Sequence, residues 1–331
     1  MGKSMIGYFA VAGLLLANAG SAIAWHERGH MAVALIAYRH LDASKQNQII
    51  EILKKHPHYA EFLSSEQPAD ANANEWVVMR AAVWPDWVRE HHKDEGFNQP
   101  FHHYVNLPIK RLTGASPAQV MEIEKNIAEA PQKPSSGQIL GELPKRLDEV
   151  RDPATEEKKR AIALCWVLHL VGDLHQPLHA AALYTKDSPE GDHGGNEFYV
   201  KWNRRAEKLH FLWDGVVGWD EFAGPMATPY GVVDLMVRDF QQRHAVTPQE
   251  LNVTKIDDWA AESRDLADQE VYSHRGTPLP TVFSFGSADQ PNPADLPPLP
   301  QGYADRARGV AEKRVVVAGL RLVDKLKGVL Q

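Results

Sequence analysis

Cysteine is almost missing from this chain: Cys165 is the one thiol in 331 residues. That excludes an intramolecular disulfide and any metal cage built from several thiolates. No block of Lys and Arg occurs, and 36 basic residues face 43 acidic ones, for a formal net charge of −7. Such a chain does not bind a polyanion through a basic surface alone. Beyond the N-terminal segment no stretch is apolar enough to read as a membrane span. Internal repeats are lacking too. What is present is ordinary globular composition, 44% hydrophobic and 24% charged, with enough chain for a core. The excess is in histidine, at 16 residues.

The N-terminus has the parts of a secretory signal. Lys3 precedes an apolar run over residues 6–17, and Ala22-Ile23-Ala24 forms an A-x-A cleavage site. The expectation is a signal peptide over 1–24 and one domain over 25–331, with Trp25 as its first residue. Secretion without disulfides fits a bacterial periplasm or a secreted protein. Apolar residues recur at helical spacing over 29–39, 49–53, 75–90, 117–128, 155–176 and 310–330. The 155–176 segment is apolar nearly all round, which predicts a central buried helix. Residues 198–202 are the one plausible strand, and the Pro-rich stretch 277–301 reads as a long surface connection. The expected fold is a single all-α domain with a short β-hairpin near 196–204.

Two histidine patterns compete. His26-Glu27-Arg28-Gly29-His30 matches H-E-x-x-H, a zinc-protease signature. That chemistry needs both histidines on one helical face and a third ligand downstream. Here no helical turn precedes His26 in the mature chain, and no extended motif follows. The second pattern is larger. His169 and Asp173 are four apart at the end of the apolar helix and so share a face. An unpaired charge is costly inside such a helix, and metal coordination relieves that cost. His179 follows Pro177, where the helix must end. His210 and Asp214 repeat the four-residue spacing, and Asp86 and His103 lie in aromatic surroundings. Imidazole with carboxylate and no thiolate suits zinc, with manganese or iron still open. For any one His–Asp pair, a hydrogen-bonded core histidine is the competing explanation.

These residues resemble the secreted zinc-dependent nucleases of moulds, plants and bacteria, which prefer single-stranded DNA and RNA and remove 3′-phosphates. The resemblance rests on motifs that occur in order from Trp25 nearly to the end. They are Trp25 with His30, the Trp-x-Asp motif at Asp86, and His103-Tyr104. The block His169-x-x-x-Asp173-x-His175-Gln-Pro-Leu-His179 follows, then Gly194-Gly195-Asn196 and His210-x-x-x-Asp214. Trp259 to Ser263 and Gly319, Arg321 and Leu322 close the series.

The resemblance implies three Zn2+ held by nine residues. Trp25, through its α-amine and carbonyl, would join His30 and Asp173 at one zinc. Asp86, His103 and His169 would hold a second, with Asp173 bridging the two. His179, His210 and Asp214 would hold the third. His26 and Glu27 are not ligands in this scheme. Three zinc ions set against Asp86, Asp173 and Asp214 leave a site of about +3, an anion trap in an acidic protein. The implied reaction is phosphodiester hydrolysis of single-stranded nucleic acid by a metal-bridged hydroxide, giving 5′-phosphorylated products, with 3′-nucleotidase activity. Asp86 and Asp173 would be the catalytic carboxylates, Asp86 helping to orient the nucleophile. Tyr104 would stack a base, or else pack beside the cluster. Asn196 would meet a base edge, or else shape the wall. The implied protein is a monomer acting on single-stranded nucleic acid and nucleotides, without stable membrane association. Fungal members carry disulfides and an acidic residue shortly after the His-Tyr pair; this chain has neither. A zinc phospholipase C is the nearest rival, followed by a non-catalytic zinc-binding protein and the H-E-x-x-H protease.

Overall fold

Helix α6 (Glu157–His175) sits at the centre because, past its exposed first turn, its sequence leaves it no solvent face. From Ala163 to His175 every residue is buried. The Glu156 carboxylate caps its start by accepting the Lys159 N–H, and Glu157 sits in the first turn, where a negative charge favours the helix dipole. In the computed structural model, which describes residues 25–92, 96–217, 227–280, 282–283 and 290–330, the elements around it are helical. They are α1 (Glu27–Arg39), α2 (Ala43–Leu53), α3 (Ala73–His91), α4 (Pro117–Glu129), α5 (Ile139–Arg151), α7 (Leu209–Gly215), α8 (Pro229–Arg243), α9 (Pro248–Leu251), α10 (Ile256–Leu266) and α11 (Tyr303–Val329). The expected signal peptide lies outside the described residues. Among those described, no helix is long and apolar enough to cross a membrane.

Helix α6 packs against α1, α2, α3, α5, α10 and α11. Helix α1 is buried from Gly29 to Tyr38 and lies between α3, α6, α8 and α11. Its contact with α11 is close because Gly319 has no side chain: a Cβ there would stand 2.6 Å from Ile36 Cβ. Helix α3 is capped by Asn72, whose Oδ1 accepts the N–H groups of Asn74 and Glu75. It runs through Pro85, which withholds one helical N–H and crowds the carbonyl four residues back.

The mainly helical expectation holds, but strand content is richer than one segment. The chain after His103 and the chain after His179 run side by side as β1 (Pro108–Arg111) and β2 (Ala182–Thr185), a parallel pair with Pro108 opposite Ala182. Sequence reading misses these four-residue strands because neither alternates clearly. The hairpin forms at β3 (Tyr199–Trp202) and β4 (Arg205–Lys208), displaced from 196–204. Its two-residue turn at Asn203 and Arg204 has positive φ at both positions, matching the twist of the strands. The Pro-rich stretch is more than a surface connection. Thr277–Pro278 pairs with Ser273–His274, Leu279 and Leu296 are buried, and Phe283 bridges to Phe198 on the hairpin. Residues 281 and 284–289 of that stretch lie outside the described residues.

A candidate metal centre at the end of the central helix

Every candidate ligand except Trp25 belongs to one of three groups of donor atoms, the first two sharing His169: His30, His169 and Asp173; Asp86, His103 and His169; and His179, His210 and Asp214. All eight side chains are buried. Helix α6 supplies His169 and Asp173 four residues apart on one face, α1 supplies His30, α3 supplies Asp86, and α7 supplies His210 and Asp214. His103 and His179 come from short 3₁₀ turns at Pro100–His103 and Pro177–Ala180. The β1–β2 pairing sets these two turns beside each other, and Val105 N–H donates to His179 O at 2.8 Å.

Asp173 is the hub. Its Oδ1 is 3.3 Å from His30 Nε2, and its Oδ2 is 3.1 Å from both His103 Nδ1 and His169 Nε2. Asp86 stands 3.8 Å from His103 Nδ1 and 3.9 Å from His169 Nε2. In the third group His210 Nε2 is 3.4 Å from Asp214 Oδ2, and His179 Nε2 is 3.9 Å from Asp214 Oδ1.

Backbone carbonyls fix the imidazole tautomers. His169 Nδ1–H donates to Ala82 O, His179 Nδ1–H to His103 O, and His210 Nδ1–H to Gly194 O, at 2.8, 2.8 and 2.6 Å. A neutral imidazole has one N–H, so each of these rings turns a bare Nε2 lone pair inward. His179 Nε2 and His210 Nε2 then face each other at 3.1 Å. Two lone pairs at that distance repel, and a cation between them removes the conflict. His103 Nδ1 joins the other group, 2.9 Å from His169 Nε2 and 3.1 Å from Asp173 Oδ2. Buried atoms without a hydrogen-bond partner add to the pattern: His30 Nδ1 and Nε2, Asp86 Oδ1, Asp173 Oδ1 and Asp214 Oδ2. Carbonyl-anchored imidazoles around carboxylates are the donor set that zinc takes.

Burial shapes the charges. It pushes His210 down to about 3 and raises Asp214. Burial also opposes the charged forms of Asp173 and His169, but their mutual attraction wins. Asp173 is held well below the usual carboxylate range, and Asp173 and Asp86 raise His169 to about 9, so these carboxylates draw a positive charge, proton or metal ion, to His169 Nε2.

Trp25 is fully buried beside this hub, and its indole N–H donates to Gly172 O at 3.0 Å, next to Asp173. Its side chain lies against Gly29, where a Cβ would come within 2.7 Å of Trp25 Cβ. The two histidines of the H-E-x-x-H match part company. His30 enters the cluster from inside α1, whereas His26 precedes the helix and sets its ring edge-on to Phe211 at 5.3 Å. Tyr104 is half-buried and its hydroxyl donates to Ser135 O at 3.1 Å. Asn196 is half-buried, and its amide N–H closes its own turn on His193 O. His175 uses both ring nitrogens, Nδ1–H donating to Val171 O and Nε2 accepting from Arg321.

Three participants escape the sequence reading. Arg89 Nη1 lies 3.5 Å from Asp86 Oδ1, one helical turn along α3. Gly172 leaves room for His30, whose Nδ1 would be 2.8 Å from a Cβ there. Gln176 touches Asp214. An i, i+3 spacing could have found Arg89; Gln176 stands inside the His169–His179 block but its spacing gives it no role, and nothing local signals Gly172. A further group, His58, Glu61 and His92, shares no residue with the cluster. His58 Nδ1 accepts the Trp84 indole N–H at 3.0 Å, which places the ring proton on Nε2, and Glu61 pairs with His92 at 3.1 Å. That geometry is a hydrogen-bonded aromatic corner rather than a converging lone-pair set.

Comparison with known proteins agrees with the geometry. The family model described as S1/P1 Nuclease matches residues 25–331. Endonuclease 4 of Arabidopsis thaliana is 26% identical over 218 residues, covering 66% of this chain and 63% of that protein. Endonuclease 3 of the same plant is 24% identical over 204 residues, 59% of this chain and 55% of its own length. Endonuclease 5 is 40% identical, but over 55 residues only. The chain thus spans less than two thirds of each of these relatives, and only 16% of the last. With a family match that runs across the whole described region, and with buried histidines and aspartates converging where that family's motifs fall, the chain belongs to the S1/P1 nuclease family.

Proposed function

We propose that this protein hydrolyses phosphodiester bonds of single-stranded DNA and RNA, leaves 5′-phosphorylated products, and also acts as a 3′-nucleotidase, using three zinc ions. The observation that carries the reading is the convergence of tautomer-fixed lone pairs, seen most clearly where His179 Nε2 and His210 Nε2 meet at 3.1 Å. Trp25 (through its α-amine and carbonyl), His30 and Asp173 would hold one ion. Asp86, His103 and His169, with Asp173 shared, would hold the second, and His179, His210 and Asp214 the third. Zinc bound there would make water a nucleophile near neutral pH and stabilise charge on the phosphoryl oxygens. The chain's own part is to fix the ligands and keep the site dry. Asp86 would help orient the attacking water, and Arg89 beside it brings positive charge to the same edge. Tyr104 supplies a ring face for a base, and Asn196 an amide beside the third group. Chemistry of this sort also explains how a chain of net charge −7 could take a polyanion, because the positive charge would reside in the centre.

Processing belongs to the same reading. Cleavage after Ala24 frees the Trp25 amine, and export would place the enzyme in the periplasm or outside the cell. The test is an assay of fully metallated protein on single-stranded DNA, duplex DNA, RNA, a 3′-nucleotide and phosphatidylcholine. The expected result is cleavage of the single strands and release of phosphate from the 3′-nucleotide. Activity on phosphatidylcholine alone would overturn the nuclease reading in favour of a phospholipase C. A cytoplasmic form beginning Met-Trp should be inactive, and full activity of that form would overturn ligation by the amine.

A further inference from the structure

Gln176 is completely buried at the junction between α6 and the 3₁₀ turn that carries His179. Pro177 follows it and has no N–H, so Leu178 N–H is the first donor past the bend. That N–H donates to Gln176 Oε1 at 2.5 Å. A backbone N–H can only donate, so the amide cannot be flipped: Oε1 must face Leu178 and the NH₂ must face the other way. On that other side, Nε2 donates to Asp214 Oδ1 at 2.7 Å. Asp214 is equally buried, and its Oδ2 has no hydrogen-bond partner and stands 3.4 Å from His210 Nε2.

We infer that Gln176 is the positioning residue of the His179–His210–Asp214 group: its amide holds Asp214 Oδ1 so that Oδ2 is presented to the ion. The inference rests on the metal reading above. One side chain thereby connects two ligand segments. It fixes the turn that bears His179 through Leu178, and it orients the carboxylate brought by α7. A hydrogen bond of this kind is rigid because both partners are buried and no water competes for Oδ1. Partners of metal ligands are commonly worth 10–100-fold in metal affinity or activity.

Two variants test this in the processed, zinc-loaded chain. Gln176→Glu keeps an acceptor for Leu178 but sets a carboxylate oxygen against Asp214. Gln176→Met keeps the volume and removes the amide. Zinc per chain, zinc loss to a chelator, and kcat and KM on single-stranded DNA are measured, with His210→Ala as reference. The expected result is one zinc lost about 10–100-fold more readily in both variants, with activity restored by excess zinc. The zinc-free variants should show the helical circular dichroism of the zinc-free parent. The zinc-free circular dichroism separates positioning from simple loss of structure, because excess zinc would also pull a destabilised variant back to the folded state. If Gln176→Glu does not fold, Gln176→Met decides. Retention of all zinc as tightly as in the parent would overturn the role of Gln176. A parent whose zinc content is untouched by His210→Ala would instead overturn the metal reading of the third group.

Discussion

At the scale of single residues, Asp173 shows how one carboxylate organises a site. It meets His30 through one oxygen and His103 and His169 through the other. An amide has one acceptor oxygen and no charge, so Asp173→Asn cannot serve both sides. The expected outcome is at least a 100-fold loss of nuclease activity together with loss of one or more zinc ions per chain, read by assay and elemental analysis. Unchanged zinc content in that variant would contradict its place as the shared ligand. The Asp173 signal was readable in the sequence because a helix turns i and i+4 to one face. His210 and Asp214 were readable for the same reason. The carbonyls of Ala82, His103 and Gly194, which set the tautomers, were not readable. Every residue carries a carbonyl, and only the packed chain decides which one an imidazole meets.

At the scale of elements, two glycines separate spacing at the candidate centre from plain packing. Gly172 on α6 faces His30, and Gly319 on α11 faces Ile36 on α1. Gly172→Ala should displace the His30 ring, weakening zinc retention and lowering kcat. Gly319→Ala should cost about 1–3 kcal/mol through overpacking while leaving activity per folded molecule near the parent value. Thermal unfolding combined with zinc content distinguishes the two outcomes, and equal effects of both on zinc would refute the distinction.

The 191–197 loop permits a pH test away from the ligands. Asp192 is fully buried, accepts from Leu183 N–H and Tyr272 O–H, and is pushed up by burial from 3.8 to about 6. Its folded value lies above the unfolded one, so its contribution is whole below about pH 4 and is lost as pH rises through 6. Asp192→Asn removes that loss. The variant should gain on the parent by up to about 3 kcal/mol between pH 4 and pH 8. Denaturant unfolding at both values checks this, and a pH-independent difference would contradict it. This loop matters because its Gly194 carbonyl holds His210.

At the scale of the whole molecule, the centre gathers side chains from α1, α3, α6, α7 and two 3₁₀ turns. In a chain with one cysteine, metal bound at this centre would take the place that disulfides hold in many secreted proteins. Chelation should therefore lower the melting temperature as well as activity, and added zinc should restore both. The link is thermodynamic, since an ion bound only by the folded state stabilises it by mass action. A chelated protein that melts at the parent temperature would show that the cluster contributes nothing to the fold.

Residue order alone carries the helical class, the buried central helix, the two His–Asp pairs and the run of motifs that marks the family. Periodicity and short spacing are local properties, and helix geometry converts them directly into faces. Tertiary structure alone decided the rest. It paired β1 with β2, moved the hairpin, folded part of the Pro-rich stretch onto it, separated His26 from His30, and placed Gln176 against Asp214. Those outcomes depend on contacts between residues tens of positions apart. Such contacts arise where packed elements bring particular carbonyls, amides and small residues together, and no short stretch of sequence encodes them.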